Sequence, residues 1–177
     1  MATENAVRPV KVRDFEGIVG GGLFGALLAG GLMNLISYEL MIQFAQIVGS
    51  SSHDVAWLVM FGLGVLFAGG FELYAGKAFD PFVRSIMALT KRSSILKKML
   101  QPMVHLSPMG SVCYLLGQGY GLAIGIGHVV LVPLWLTYVM GEPTAFPMLN
   151  LNGVLAVVGW VVYGSMMGLV FGAILES

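Results

Sequence analysis

Apolar residues run along this chain in four long blocks, each closed by a short polar segment. The first starts at Gly17 or Ile18 and stays apolar through Ile36, with an amphipathic continuation toward Val48. The second runs from Val55 to about Tyr74, the third from near Pro108 to about Met140, and the fourth from about Leu149 to Leu175. A hydrocarbon core about 30 Å thick takes about 20 helical residues to cross. The pattern therefore predicts four transmembrane helices over about 17–43, 55–75, 108–138 and 150–175. Pro108 suits a first helical turn, where its missing N–H loses no partner. Pro133, inside the third block, predicts an interruption. The expected fold class is an all-α membrane protein: one domain, a bundle of four transmembrane helices with an amphipathic cytoplasmic connector.

Composition agrees with lipid as the main solvent. The chain has 177 residues, 57% of them apolar and 10% charged, where a soluble domain carries about 25% charged residues. Mean hydropathy is +0.86. A net charge of zero provides no field to attract nucleic acid, which is excluded as a partner. The polar stretch 1–16 leads into an apolar block longer than a signal-peptide core, so the first span is expected to serve as its own uncleaved insertion signal. The single cysteine, Cys113, has no disulfide partner in the chain and reads as a small buried residue.

Charge adds an orientation. Arg8, Lys11 and Arg13 precede the first span, and Lys77, Arg84, Lys91, Arg92, Lys97 and Lys98 lie between the second and third. Those are all the Lys and Arg of the chain; the loops at roughly 44–54 and 141–148 hold none. Four spans put both termini and the basic segment on one side, which the positive-inside rule makes the cytoplasm of a multi-pass cell-membrane protein. Within the basic segment 77–102, Phe82, Val83, Ile86, Met87 and Leu89, then Ile95, Leu96, Met99 and Leu100, recur at roughly helical spacing. They predict one or two amphipathic helices, the second capped by Ser93 or Ser94, lying on anionic lipids of the inner leaflet.

Glycine is placed as regularly as charge. Gly17, Gly21, Gly25 and Ala29 are four apart in the first span, as are Gly117, Gly121 and Gly125 in the third and Gly164, Gly168 and Gly172 in the fourth. Gly64 and Ala68 take the same spacing in the second, on a stripe leading to Glu72. Helices in lipid associate through close approach at small residues, so each strip is expected to face another helix. The second and fourth spans also begin alike, "AWLVMFGLGVLFAGGF" against "GWVVYGSMMGLVFGAI". Each has a Trp (Trp57, Trp160) followed by an aromatic–Gly pair (Phe61–Gly62, Tyr163–Gly164), as a tandem repeat of a hairpin would show. In these paired Gly- and aromatic-rich hairpins the chain resembles small four-span membrane proteins of halophilic archaea. The resemblance implies a membrane bundle and brings no catalytic residue with it.

Chemistry is sparse. An ionisable group deep in a span is a functional candidate, but Glu39 falls at the outer rim and Glu72 near the inner end of the second span, close to Lys77. The central zone has Asn34, Gln118, Tyr120 and Tyr163 and no acid, base or cation. His53 and His128 belong to the outer half and would suit a b-type haem pair if they faced each other; His105 lies on the inner side. No Ser/His/Asp set, HExxH or phosphate loop is present, and "GGGLFG" lacks a preceding strand and a Lys. The expected function is therefore non-enzymatic, without a cofactor. The chain would act through helix packing, as an accessory subunit beside other membrane-protein subunits or as a homo-oligomer. A transporter or channel for a small neutral solute, using Gln118, Tyr120 and Asn34, is the alternative, and a small haem or quinone redox subunit is the second alternative.

Overall fold

The computed structural model describes residues 12–92 and 107–176. Among the described residues the chain is helical throughout apart from its turns and two loops. It comprises α1 (Val12–Ile36), α2 (Tyr38–Gln46), α3 (His53–Arg92), α4 (Pro108–Tyr138) and α5 (Leu151–Glu176). Four of these, all but the short α2, are long and apolar enough to cross a membrane.

Three boundaries differ from the expectation, each for a local reason. The first block is divided at Ser37, whose backbone is extended (φ −146°, ψ 104°) and whose hydroxyl accepts from the Leu40 N–H as the N-cap of α2. Ser37 also bonds through Oγ to Asn152 Oδ1 of α5, 3.1 Å away, so a tertiary contact supports the break. The helix of the second span does not stop near residue 75. It continues as α3 through Pro81 to Arg92, so residues 77–92 prolong that helix instead of opening a separate one. Ser85 Oγ donates to the Pro81 carbonyl, 2.9 Å away. The capping serines Ser93 and Ser94, the second amphipathic segment with Leu96 and Leu100, His105, and the cations Arg8, Lys11, Lys97 and Lys98 lie outside the described residues.

The third correction is at Pro133, where α4 runs on unbroken to Tyr138. A proline frees the carbonyl four residues before it, here that of Val129. The loop after α4 folds back and donates the Met148 N–H to that carbonyl at 3.1 Å. Thr144 Oγ1 donates to the carbonyl of Pro133 itself, 2.9 Å away. The lost ladder bond is thus replaced from outside the helix, as an apolar setting requires. At its start α4 matches the expectation, with Pro108 in the first turn; Ser107, which was not expected, is the N-cap and accepts from Gly110 N–H at 3.0 Å. Gly141 turns the chain beyond α4 with φ +72°, a left-handed conformation that glycine adopts without strain.

Packing follows the glycines. Down the antiparallel pair α4–α5, a Cβ at Gly117 would strike the Gly164 carbonyl, one at Gly121 the Trp160 carbonyl, and one at Gly168 the Cys113 carbonyl. A Cβ at Gly125 would lie 2.8 Å from Val157 Cα, and one at Gly172 2.7 Å from Gly110 Cα. The backbones themselves are in contact there. Helix α1 uses two faces. Gly17, Gly21 and Gly25 face Phe171, the Met167 carbonyl and the Tyr163 carbonyl of α5, whereas a Cβ at Gly22 would lie 2.8 Å from the Gly64 carbonyl of α3 and one at Gly30 2.9 Å from the Trp57 ring. Thus α5 lies between α1 and α4, α1 lies between α3 and α5, and aromatic side chains bridge the inside.

Candidate functional site

The chain's chemistry-bearing side chains gather in an aromatic column between the helices. Trp160 of α5 is 1% exposed and packs edge-on against Phe44 of α2, Phe67 of α3 and Tyr163 one turn along α5, at centroid distances of 6.0, 5.3 and 5.3 Å. Toward the C-terminal end of α5, Phe71 meets Tyr120 and Phe171 edge-on, and Tyr120 stacks on Tyr74 at 5.7 Å. Buried tyrosine and tryptophan need a partner for their polar hydrogen, and each of the three finds one. Tyr163 Oη donates to the Gly64 carbonyl at 2.5 Å, Tyr120 Oη to the Phe67 carbonyl at 2.9 Å, and Trp160 Nε1 to His128 Nδ1 at 3.1 Å. Two tyrosines, from α5 and α4, therefore hold successive turns of α3.

Helix α2 covers the opposite end of this column. Leu40, Met41, Phe44 and Ala45 are fully buried; Phe44 lies 5.4 Å from the His128 ring, and Tyr38 stacks on His53 at 5.3 Å. The two histidines make the same kind of bond in different ways. His128 accepts the indole N–H of Trp160 from the facing helix, and His53 accepts that of Trp57, four residues along its own helix, through Nε2 at 3.1 Å. Trp57 and Trp160, similar in sequence context, thus sit in dissimilar surroundings.

This pattern bears on haem. An indole N–H only donates, so the ring nitrogen it meets must be the unprotonated one. In a neutral imidazole the other nitrogen then carries the proton, and neither offers a lone pair to iron. As held here, His53 and His128 do not fit axial ligation. No group of three or more His, Cys, Asp or Glu side chains is placed to hold a metal ion among the described residues.

The remaining candidates are scattered. Asn34 is half-buried with its Oδ1 buried and unpartnered. Gln118 and Glu72 are half-buried, Lys77 and Glu39 are exposed, and Glu72 makes no ion pair among the described residues. Cys113 is buried. Sequence reasoning did not single out Phe44, Ser37, Gly22, Gly30 or Gly110. The Gly22–Ala26–Gly30 strip was visible as a second four-residue spacing beside the first. The role of Phe44 was not, because it depends on α2 turning inward at Ser37. Comparison with protein-family models, with curated proteins and with solved structures finds no match to the chain.

Proposed function

We propose that this chain is a non-enzymatic four-span membrane protein that works by helix packing, as a subunit of a homo-oligomer or of a larger membrane complex. In this reading the four long helices form a bundle in the cell membrane. Both termini and the basic segment lie at the cytoplasmic face, where the cations meet anionic lipid. One observation carries it. The glycines fall into two populations, and one of them meets nothing. Among the described residues, a Cβ at Gly62, Gly69 or Gly76 of α3, or at Gly119 of α4, would find no atom within 4 Å. Gly62, Gly69 and Gly76 are seven residues apart and share one face of α3 with Leu58, Leu66 and Leu73, exposed by 70, 67 and 68%. On α4, Gly119 lies beside exposed Ala123 and Ile126. An exposed glycine in a helix costs about 0.5–1 kcal/mol against alanine. A seven-residue spacing keeps such a strip facing a partner helix in a left-handed crossing, and small residues are what transmembrane interfaces select.

The test uses the vacancy of these positions. Gly62→Leu and Gly69→Leu have room in the single chain, so each variant is expected to keep wild-type thermal stability yet migrate as a monomer in mild detergent. Wild type is expected to run as a defined oligomer or to co-purify with one larger partner. A wild-type protein that stays monomeric in nanodiscs and captures no membrane partner would refute the reading, as would leucine variants that assemble normally.

A further inference from the structure

Among the described residues, four buried polar atoms have no hydrogen-bond partner: Asn34 Oδ1, Gln43 Oε1, His53 Nδ1 and His128 Nε2. Native proteins leave few such atoms unpaired, because a buried donor or acceptor has given up its water. Their chemistry is complementary. Trp160 donates to Nδ1 of His128, so the proton of the neutral ring is on Nε2, and that unpaired atom is a donor. Trp57 likewise donates to Nε2 of His53, making His53 Nδ1 a donor. The amide oxygens of Asn34 and Gln43 are acceptors. Two donors and two acceptors thus stand unpaired, among the described residues, on α2 and the helices beside it.

Register couples them in pairs. The end of α2 and its C-cap Ile47 touch α4 at two points. Phe44 meets the His128 ring, and Trp135 Nε1 donates to the Ile47 carbonyl at 3.0 Å. Gln43 is one turn before Ile47, so its amide belongs at the level of His128, which is only 6% exposed. A turn farther out the same seam opens into an apolar groove of about 530 Å³ lined by Ile47, Leu131 and Trp135 among others. Across α1 and α3, Gly30 meets Trp57. One turn outward on each of these antiparallel helices stand Asn34 and His53.

We infer that α2 covers binding sites for a small neutral hydroxyl-bearing molecule, water or a small alcohol, which accepts from the imidazole N–H and donates to the facing amide oxygen. The better enclosed site lies between His128 Nε2 and Gln43 Oε1. The asymmetry of the pair sets the class: an N–H turns away a cation, a carbonyl oxygen turns away an anion, and a hydroxyl satisfies both.

The experiment uses full-length protein in nanodiscs with ¹⁵N-labelled histidine, each ring assigned by single substitution. Proton-detected spectra are expected to show His128 protonated at Nε2 and not at Nδ1, with through-space transfer to Nε2–H from a bound molecule. Glycerol is the alcohol probe. Transfer from water that glycerol leaves unchanged identifies the occupant as water, and transfer from glycerol protons that replaces it identifies an alcohol site. Gln43→Leu should abolish the transfer and keep the His128 tautomer. An Nε2–H that receives transfer from neither molecule, a ring protonated at Nδ1, or transfer unchanged in Gln43→Leu overturns the inference. The wild-type spectra decide it even if the variant does not fold.

Discussion

Gly119 and Gly121 are two residues apart on α4 and point to opposite sides of it, which makes an alanine at each a controlled pair. At Gly121 the added Cβ would lie 3.0 Å from the Trp160 carbonyl carbon and 3.1 Å from Val161 Cα, and closer still to the Trp160 oxygen. All three atoms are backbone, so no rotamer change relieves the overlap. Helix α5 must withdraw by roughly 0.5–1 Å, enough to forfeit a quarter to a half of each contact along the seam. The loss spreads to the Gly117–Gly164 and Gly125–Val157 approaches, because both helices move as rods. Overpacking of this kind costs about 1–3 kcal/mol. At Gly119 the Cβ meets nothing. The helix-propensity gain of alanine over glycine, up to about 1 kcal/mol, applies to both variants and cancels in the comparison. Gly121→Ala should therefore be less stable than Gly119→Ala by about 1–3 kcal/mol, read by unfolding in mixed micelles of dodecyl maltoside and SDS. Equal midpoints for the two variants would mean that the α4–α5 backbone contact does not hold the protein together.

The aromatic column gives two further outcomes and the charge pattern a third. Tyr163→Phe removes one donor to a Gly64 carbonyl that sits within helix α3, so it should cost about 0.6 kcal/mol, the mean for hydrogen bonds between membrane helices. Trp160→Phe should cost more, about 1–3 kcal/mol, because it strands the buried Nδ1 of His128; the same micelle unfolding ranks the two, and the reverse order would count against the assigned bonds. Reporters fused after Leu100 and after Ser177 should both read cytoplasmic and one after Ser51 external, the outcome required by the distribution of Lys and Arg. An external C-terminus would overturn the four-span orientation.

How much of this was legible beforehand depends on the range of the interaction involved. Hydropathy is a property of each segment alone, so the four long helices could be read from sequence, down to Pro108 in the first turn of α4. The four-residue glycine spacing is equally local, and it marks strips without naming their partners. Only the tertiary structure decided that Gly121 is shut against Trp160 while Gly119 and Gly69 stand open, because both kinds of glycine have the same composition around them. The break at Ser37 rests partly on Asn152, 115 residues away. The unbroken helix at Pro133 rests on Met148 returning to cover the freed Val129 carbonyl, with Thr144 bonded to the carbonyl of Pro133. The histidines show the same limit most plainly. Their number and rough depth were visible in the sequence. Which ring nitrogen keeps its proton was fixed by where two indoles lie, one of them on another helix. Burial and periodicity are written along the chain, whereas hydrogen-bond partners in lipid are set by which helix faces which.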